Sequence, residues 1–194
     1  MSELARVLRD VGTSLDEAGT AWALVGGLAV SARSEPRFTR DIDLALSVTT
    51  DAEAEAITRA LSAIGLRPVT VLESTCTGRL ATVRLLGPNA GGIYVDLLFA
   101  SSGIEPEIAA AAEPVEAFSG LVVPVAQLGH LVACKLLSVD DRRFQDRQDL
   151  RAMRGVARPA DLDHARQAVG WIKARGFHRG RDLDQALFDW IADP

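Results

Sequence analysis

The chain has 194 residues, of which 48% are hydrophobic and 24% are charged, and its formal net charge at pH 7 is −5. This composition is typical of a globular protein and excludes a disordered one. No apolar run approaches the ~20 residues of a membrane span, and residues 1–12 lack the apolar stretch of a secretory signal. We therefore expect a cytoplasmic protein without a membrane partner, long enough for a core domain with a helical appendage.

Hydrophobic periodicity and turn residues predict the elements of the first half of the chain. The predicted order is a helix over 2–18, a strand over 22–25, a short helix over 28–34, a strand over 38–47, a helix over 51–64, strands over 67–72 and 79–86, a turn over 87–92 and a strand over 93–99. Thr49 or Thr50 can cap the third helix. Successive strands of this kind are typical of an α/β protein with a mixed sheet rather than a doubly wound one.

The second half is predicted to be mainly helical. A short alanine-rich segment at 108–112 and a short strand within 118–125 precede helices over 125–138, 147–153, 159–175 and 183–191. Because strands give way to helices near residue 126, we predict a sheet lobe over 1–125 and a helical lobe over 126–194, with a cleft between them.

Charge is unevenly distributed along the chain. Residues 142–181 contain eleven Arg or Lys residues and four acids, a net charge of +7, whereas residues 1–141 carry a net charge of −8. Such a basic stretch is typical of binding to a polyanion such as RNA, and Arg154, Arg158 and Arg175 are the candidate contacts. The alternatives are a solvated helical surface or an interface with an acidic protein.

Two motifs stand close together near the N-terminus. Gly26-Gly27 follows an apolar run and precedes a short helix, a pattern that brings bare backbone and helix amides close to a ligand such as phosphate. Asp41-Ile42-Asp43 begins the next apolar strand, where residues i and i+2 share one face. Two carboxylates on one face repel each other unless a cation lies between them, and Mg²⁺ is the usual oxygen-seeking cation.

A third carboxylate, Asp96, lies inside the apolar strand over 93–99. Burying a charge is costly unless it is paired or bound to a metal. One interpretation pairs Asp96 with a neighbouring arginine such as Arg84. The other groups Asp96 with Asp41 and Asp43 as a metal-binding set.

The Gly-Gly motif followed by an Asp-x-Asp strand resembles the signature of the polymerase-β-like nucleotidyltransferase fold. The preceding Thr39-Arg40 and residues 100–105 resemble one branch of that fold, the AbiEii/MenT nucleotidyltransferase toxins of bacterial toxin–antitoxin pairs. The resemblance spans roughly residues 22–150. It implies a mixed-sheet catalytic lobe over 1–125 and a helical lobe over 126–194 that contributes Lys and Asp to the cleft.

The resemblance also implies an activity, the Mg²⁺-dependent transfer of a nucleoside monophosphate from an NTP such as ATP to an acceptor hydroxyl. Two Mg²⁺ ions are expected, with Asp41 and Asp43 bridging both and Asp96 contacting the ion nearest the attacking hydroxyl. The implied acceptor is RNA, at the 3′ end of tRNA. Extension of that end would block translation, and a cognate antitoxin protein would restrain the toxin.

A further motif lies in the predicted helical lobe. Lys135-Leu-Leu-Ser, Arg143 and Gln145–Leu150 resemble the family's KLxA…RxxDxxDL arrangement, in which the lysine contacts nucleotide phosphates and an acid supports the site. Asp146 and Asp149 share one helical face. We favour Asp149 as the acid facing the site, with Asp146 as a cap at the start of the helix. The alternatives are a lysine at a helix edge and two solvated acids.

Nucleotide contacts are expected from Gly26, Gly27, Thr39, Arg40 and Lys135. Thr39 lies two residues before Asp41, which would place it on the same strand face. Its hydroxyl would contact phosphate or metal or be modified, and the alternative is an ordinary β-branched strand residue.

Two other functions remain open. One is a small-molecule nucleotidyltransferase of the antibiotic-modifying kind, against which the basic stretch argues. The other is a non-catalytic binding protein of the same fold, against which the complete acid set argues.

Overall fold

The computed structural model describes residues 2–87, 92–139 and 144–192. Most of the turn predicted over 87–92, and the predicted site neighbour Arg143, lie outside these residues.

Seven strands in the described residues form one sheet. In chain order they are β1 Trp22–Val25, β2 Asp41–Leu46, β3 Arg67–Glu73, β4 Leu80–Leu86, β5 Tyr94–Leu98, β6 Glu113–Phe118 and β7 Leu121–Val125. Their order across the sheet is β3-β4-β5-β2-β1-β7-β6. Strand β2 pairs with β5, and β1 with β7, in parallel, while the other neighbours are antiparallel. The predicted mixed sheet is therefore confirmed.

Eight helices lie in the same residues and complete an α/β fold. They are α1 Glu3–Glu17, α2 Gly26–Arg33, α3 Asp51–Ala63, α4 Glu105–Ala110, α5 Leu128–Ser138, α6 Phe144–Val156, α7 Pro159–Ala174 and α8 Leu183–Ala192. The predicted helices recur with shifted ends. The predicted alanine-rich segment at 108–112 overlaps the end of α4.

The sheet is organised around β2, which lies between β1 and β5. Its apolar residues Ile42, Leu44 and Leu46 have no exposed surface. Burying such a side chain stabilises the fold by about 1.5–3 kcal/mol. Because side chains alternate along a strand, burial of Ile42 fixes Asp41 and Asp43 on the opposite face, where both are half-buried.

Helix ends follow from local capping. In α3 the Thr50 hydroxyl accepts from the Glu53 amide at 3.2 Å, and the Glu53 carboxylate accepts from the Thr50 amide at 3.2 Å. This reciprocal capping box satisfies two amides that the helix leaves unpaired. Thr50, rather than Thr49, is therefore the N-cap.

Two strands differ from their predicted bounds. Strand β2 begins at Asp41 instead of residue 38, because Arg37 turns away to bind α6 and Phe38 projects into solvent. Strand β6 was not predicted, since Pro114 and three acidic or alanine neighbours give it a weak strand pattern. Pro114 is tolerated because β6 is an edge strand, the position to which proline is usually confined within sheets.

All described strands end before residue 126 and α5 to α8 follow, as predicted. Helix α2 contacts β2 on one side and α5 and α6 on the other. The carboxyl end of β1, the start of β2 and the facing helices α5 and α6 thus enclose one region, which contains the predicted site.

None of the helices in the described ranges is both long and apolar enough to cross a bilayer.

Candidate active site

Gly26 and Gly27 form the turn at which β1 becomes α2. Gly26 has a φ of +64°, a backbone conformation that favours glycine. A Cβ on Gly26 would lie 1.9 Å from Oδ2 of Asp43, and a Cβ on Gly27 would lie 2.1 Å from Nη2 of Arg37. The two glycines therefore make room for two charged side chains of the site, a role that the motif alone did not indicate.

Replacing Gly26 with Ala is expected to destabilise the protein more than replacing Gly19. Gly19 has a φ of +65° and nothing within 4 Å of its added Cβ, so Gly19→Ala should cost only the left-handed backbone term of about 1–2 kcal/mol. Gly26→Ala should cost at least a further ~1–3 kcal/mol, because overpacking displaces Asp43. Urea denaturation measures both values, and equal losses would contradict the close approach.

Strand pairing places Asp96 beside Asp43. The parallel register aligns Asp43 with Asp96, and the antiparallel register aligns Asp96 with Arg84. Arg84 donates two hydrogen bonds to the Asp96 carboxylate, at 2.7 and 2.6 Å, and its guanidinium lies 5.2 Å from the Tyr94 ring centroid. The interpretation that pairs Asp96 with Arg84 is therefore confirmed. Asp96 also lies beside Asp43, and its part in a metal-binding set stays a prediction.

The charge on Asp43 is unfavourable in this environment. Burial, and then the neighbouring carboxylates Asp96 and Asp41, raise the pKa of Asp43 to about 7, against the opposing effect of Lys135 and Arg84. A bound cation would relieve this repulsion. The same neighbourhood raises the pKa of Arg84, chiefly through its hydrogen bonds to Asp96.

The carboxylates fit a magnesium ion in part. Across the described ranges, no three His, Cys, Asp or Glu side chains are placed to hold one metal ion together, and Asp96 is turned to Arg84. Asp41 and Asp43 nevertheless share one face, and Mg²⁺ is usually held by one or two carboxylates together with substrate phosphates and water. The two β2 carboxylates suit that donor set, and the role of Asp96 as a third ligand stays a prediction.

Lys135 lies on α5, opposite the carboxylates. Its ammonium group is 2.7 Å from Asp146 and 2.7 Å from Asp149, both on α6. The side chain of Lys135 is 12% exposed, so it is not a solvated lysine at a helix edge. Burial disfavours the ammonium, but the hydrogen bonds to Asp146 and Asp149 outweigh it and raise the pKa of Lys135.

Arg37 completes this ion-pair network. Its guanidinium donates to both oxygens of Asp149, at 2.6 and 2.9 Å, and so ties the loop before β2 to α6. Burial opposes the charge on Asp149, yet Arg37 and Lys135 together lower its pKa. The sequence favoured Asp149 at the site and Asp146 as a cap, but both acids bind Lys135, and Asp146 is the third residue of α6 rather than its cap.

A cavity of about 730 Å³ separates the two groups of charges. Its wall includes residues from the sheet and from the helices, namely Gly26, Gly27, Thr39, Asp41, Asp43, Arg84, Asp96, Lys135 and Asp146. The structure thus brings most of the predicted site residues to one cavity. Asp149 lies behind Lys135 and lines a neighbouring groove.

Of the two phosphate contacts predicted in the loop before β2, one lines the cavity and the other does not. Thr39 lines the cavity, but it precedes the strand and its Oγ1 lies 3.4 Å from the Asp41 amide. The prediction that it shares a strand face with Asp41 is therefore wrong, because β2 starts later than expected. Arg40 is exposed, with its guanidinium 5.4 Å from the Phe38 ring centroid, and does not line the cavity.

The three candidate RNA contacts lie in different surroundings. Arg154 packs on the Trp190 ring and donates to the Ile191 carbonyl. Arg175 binds Glu107 at 2.5 and 3.0 Å and the Gly103 carbonyl. Arg158 is exposed at the start of α7. Since charge reversal at Arg154 or Arg175 would also remove contacts within the fold, Arg158 is the most suitable of the three for testing RNA binding.

The sequence did not single out Arg179, which lines the cavity. Its φ of +54° is the one positive value among the non-glycine residues of the described ranges, and its guanidinium donates to the Ser101 carbonyl at 2.8 Å. Glu105, also at the cavity, accepts from the amides of Ser101, Ser102 and Gly103 and so fixes that loop. The basic stretch was a general signal for Arg179, but its approach to Ser101 depends on tertiary packing.

Comparison with solved structures identifies the fold. An antigenic nucleotidyltransferase-like protein from Paracoccidioides brasiliensis is 20% identical, with a TM-score of 0.56 over 96% of this chain and 92% of that chain. A putative nucleotidyltransferase from Thermotoga maritima is 21% identical, with a TM-score of 0.51 over 75% of this chain and 89% of that chain. ANT(2")-Ia in complex with adenylyl-2"-tobramycin is 13% identical, with a TM-score of 0.55 over 90% of this chain and 99% of that chain.

Sequence comparison extends beyond the fold. No curated protein matches this chain. The family model for the nucleotidyl transferase AbiEii toxin, of a type IV toxin–antitoxin system, matches residues 6–191. This match includes the sheet, the cavity and the helical segment that the resemblance of residues 22–150 left unassigned. The chain therefore belongs to the AbiEii family of toxin–antitoxin systems and is a nucleotidyltransferase.

Proposed function

We propose that this nucleotidyltransferase moves a nucleoside monophosphate from an NTP to a hydroxyl at the 3′ end of an RNA, with tRNA as the acceptor, in a Mg²⁺-dependent reaction. The observation that supports this proposal is the opposition of charges across the cavity. Carboxylates for a cation line one wall, and the ammonium group of Lys135 lies on the other. A triphosphate with a bound cation would complement both walls, since the cation suits the carboxylates and the phosphates suit the lysine.

The residues of this chain have distinct parts in the proposed reaction. Asp41 and Asp43 would hold Mg²⁺, which when bound supplies charge neutralisation at the transferring phosphate. Lys135 would contact the triphosphate as a point charge. The acceptor oxygen forms a bond to the α-phosphorus, and the bond from that phosphorus to pyrophosphate breaks. Asp96 would accept the proton of the acceptor hydroxyl, once Arg84 no longer binds one of the two carboxylate oxygens of Asp96.

RNA is favoured as the acceptor by the basic stretch within the second half of the chain. Residues 142–181 carry a net charge of +7, against −8 over residues 1–141, and phosphate contacts dominate the affinity of proteins for nucleic acids. An antitoxin partner is proposed from membership of a toxin–antitoxin family. A cytoplasmic location is proposed on the same basis, because the proposed NTP and RNA substrates are found there.

Labelled NTPs and Mg²⁺ should transfer label to total RNA in the presence of this protein. The 3′ hydroxyl is the proposed acceptor, so periodate oxidation of the RNA, which destroys the terminal diol, should abolish labelling. Asp41→Ala should be inactive and retain its fold. Label that persists on oxidised RNA, or appears on no RNA with any of the four NTPs, would contradict the proposed acceptor.

A second candidate is transfer to a small molecule. It is motivated by the similarity in fold to ANT(2")-Ia and to the lincosamide antibiotic adenylyltransferase LnuA, at 13% and 12% identity. The same assay with an aminoglycoside or a lincosamide in place of RNA separates the two functions. A small-molecule transferase would label the drug and leave RNA unlabelled at every salt concentration.

A further inference from the structure

The loop between α2 and β2 exposes an aromatic ring beside the cavity. Phe38 is 79% exposed, the highest value among the exposed large hydrophobic residues of the described ranges. Its chain neighbours Arg37 and Thr39 both line the cavity, whereas Phe38 does not. The ring therefore stands at the rim of the proposed active site. An exposed phenylalanine in such a place has no role in the core.

Contacts on both sides restrain this loop. Arg37 donates to the Phe38 carbonyl at 3.2 Å while its guanidinium is bound to Asp149 on α6. On the other side, the Arg40 guanidinium lies 5.4 Å from the Phe38 ring centroid, within the range of a cation–π contact. The ring thus has a cation beside it and a backbone tied to α6.

A groove of about 480 Å³ lies on the far side of Arg37. Arg37 and Gln145 line both this groove and the cavity. Gln148 and the exposed Arg151 of α6 line the groove as well. The carboxylates of Glu35 and Asp149 line the groove too, and Asp149 is bound to Arg37. Arg151 is therefore the cation proposed for phosphate contact, while the amides of Gln145 and Gln148 suit ribose hydroxyls.

We propose that Phe38 is a stacking platform for an unpaired base near the 3′ end of a single-stranded RNA acceptor, with the preceding nucleotides in the groove beside Arg151. The inference rests on the proposed function and specifies how its acceptor is held. Proteins that bind single strands combine aromatic side chains, on which bases stack, with basic residues that contact phosphates. Arg40 adds a positive charge at the platform itself.

The position of the ring favours the acceptor over the donor nucleotide. The donor triphosphate is assigned to Lys135 and the β2 carboxylates, inside the cavity. Phe38 is at the rim and next to the groove, where a strand entering from outside would pass. A strand that follows the groove across Phe38 would bring its terminal hydroxyl into the cavity.

The test combines a protein change with an RNA change. Fluorescence anisotropy measures the affinity of Phe38→Ala, Phe38→Trp and wild type for a labelled oligoribonucleotide with an unpaired 3′ end. A second oligonucleotide is abasic at one of its last three positions and keeps the sugar and phosphate. Phe188→Ala is the matched control, since Phe188 is a 65% exposed ring on α8.

Phe38→Ala should weaken binding of the intact oligonucleotide about fivefold to a hundredfold, the range for stacking of one base. Phe38→Trp should keep or improve the affinity, and Phe188→Ala should leave it unchanged. With the base removed at the stacked position, wild type should bind as weakly as Phe38→Ala, and the alanine variant should lose nothing more. Melting temperature should not change, because the ring is exposed.

Other results would overturn the inference. An unchanged affinity of Phe38→Ala for RNA, or a change confined to the KM for the NTP, would show that Phe38 does not stack on the acceptor RNA. So would a failure of wild type to bind any oligonucleotide. Because binding is measured without turnover, the two proposals fail separately. RNA labelling that is indifferent to Phe38 leaves the proposed function standing, whereas Phe38-dependent binding without any transfer contradicts the function alone.

Discussion

Asp43→Asn is expected to abolish nucleotidyl transfer and to stabilise the metal-free protein at neutral pH. Removing one of two proposed metal carboxylates should reduce the rate by on the order of 10³-fold or more. Stability should move in the opposite direction, because Asn carries no charge to repel Asp41 and Asp96. A residue needed only for folding would lower activity and stability together.

The stabilisation should depend on pH in a defined way. The pKa of Asp43 is raised to about 7 in the folded protein, whereas an unfolded chain releases this proton near its ordinary pKa of about 3.9. The protonated form therefore stabilises the fold fully below pH ~4, and that contribution is lost as pH rises towards 7. Asp43→Asn should remove this fall, so its advantage over wild type should grow between pH 4 and 7.

Urea denaturation in a chelator at several pH values measures this difference. Asp10→Asn is the control, since Asp10 is 53% exposed on α1, and surface changes of this kind usually stay within ±0.5 kcal/mol. Adding Mg²⁺ with an NTP should stabilise wild type by mass action and leave Asp43→Asn unaffected. If the free energies of unfolding of wild type and Asp43→Asn changed in parallel with pH, the pKa of Asp43 would not be raised in the folded protein.

Lys135→Ala should lower both NTP use and stability. Lys135 is the ammonium shared by Asp146 and Asp149, which are buried, and removing one partner of a buried pair costs about 3–5 kcal/mol. Arg37 still binds Asp149, so the lower end of that range is expected. Calorimetry gives the stability, and single-turnover kinetics gives the apparent affinity for the NTP.

Two variants separate the structural part of Lys135 from its binding part. Lys135→Met with Asp146→Asn should recover much of the stability, since no unpaired charge remains at Asp146, and should still use NTP poorly. Lys173→Ala is the control, because Lys173 is an exposed lysine paired with Asp184 and such pairs are worth at most about 1 kcal/mol. If the double variant used NTP as well as wild type does, Lys135 would not be a phosphate-binding residue.

Acid should weaken the same network. The pKa of Asp149 is lowered in the folded protein, by Arg37 and Lys135 acting against its burial. Its contribution is present above its ordinary pKa of about 3.9 and is lost as pH falls through the folded value. The pKa of Lys135 is raised, so its contribution is lost only at strongly alkaline pH.

The sequence predicted what depends on local pattern. Alternation along β2 was enough to place Asp41 and Asp43 on one face with Ile42 behind them, because burial of one face determines the other. The family and the nucleotidyltransferase activity, implied by the same motifs, are confirmed by the family match. The metal set, the nucleotide contacts and the RNA contacts stay predictions.

The sequence could not predict contacts that depend on register and packing. The sequence offered Arg84 as one possible partner of Asp96, but choosing that partner requires knowing which residues of β4 and β5 are aligned. The bond from Arg37 to Asp149 joins residues 112 positions apart. These two ion pairs determine which carboxylates of the site are neutralised by a neighbouring arginine. The i, i+3 spacing of Asp146 and Asp149 indicated a shared face, but only the approach of α5 to α6 shows that both reach Lys135.

The network of Arg37, Lys135, Asp146 and Asp149 has a consequence for how a nucleotide enters. Asp146 and Asp149 bind Arg37 and Lys135, so the charges of these two cations are already neutralised within the chain. If Lys135 contacts the triphosphate as proposed, binding would be an exchange of anions, in which phosphate oxygens displace carboxylate oxygens from Lys135. Such an exchange would gain less free energy than filling a vacant cationic pocket, and it would favour release of pyrophosphate, since the aspartates would return to the lysine as the product leaves.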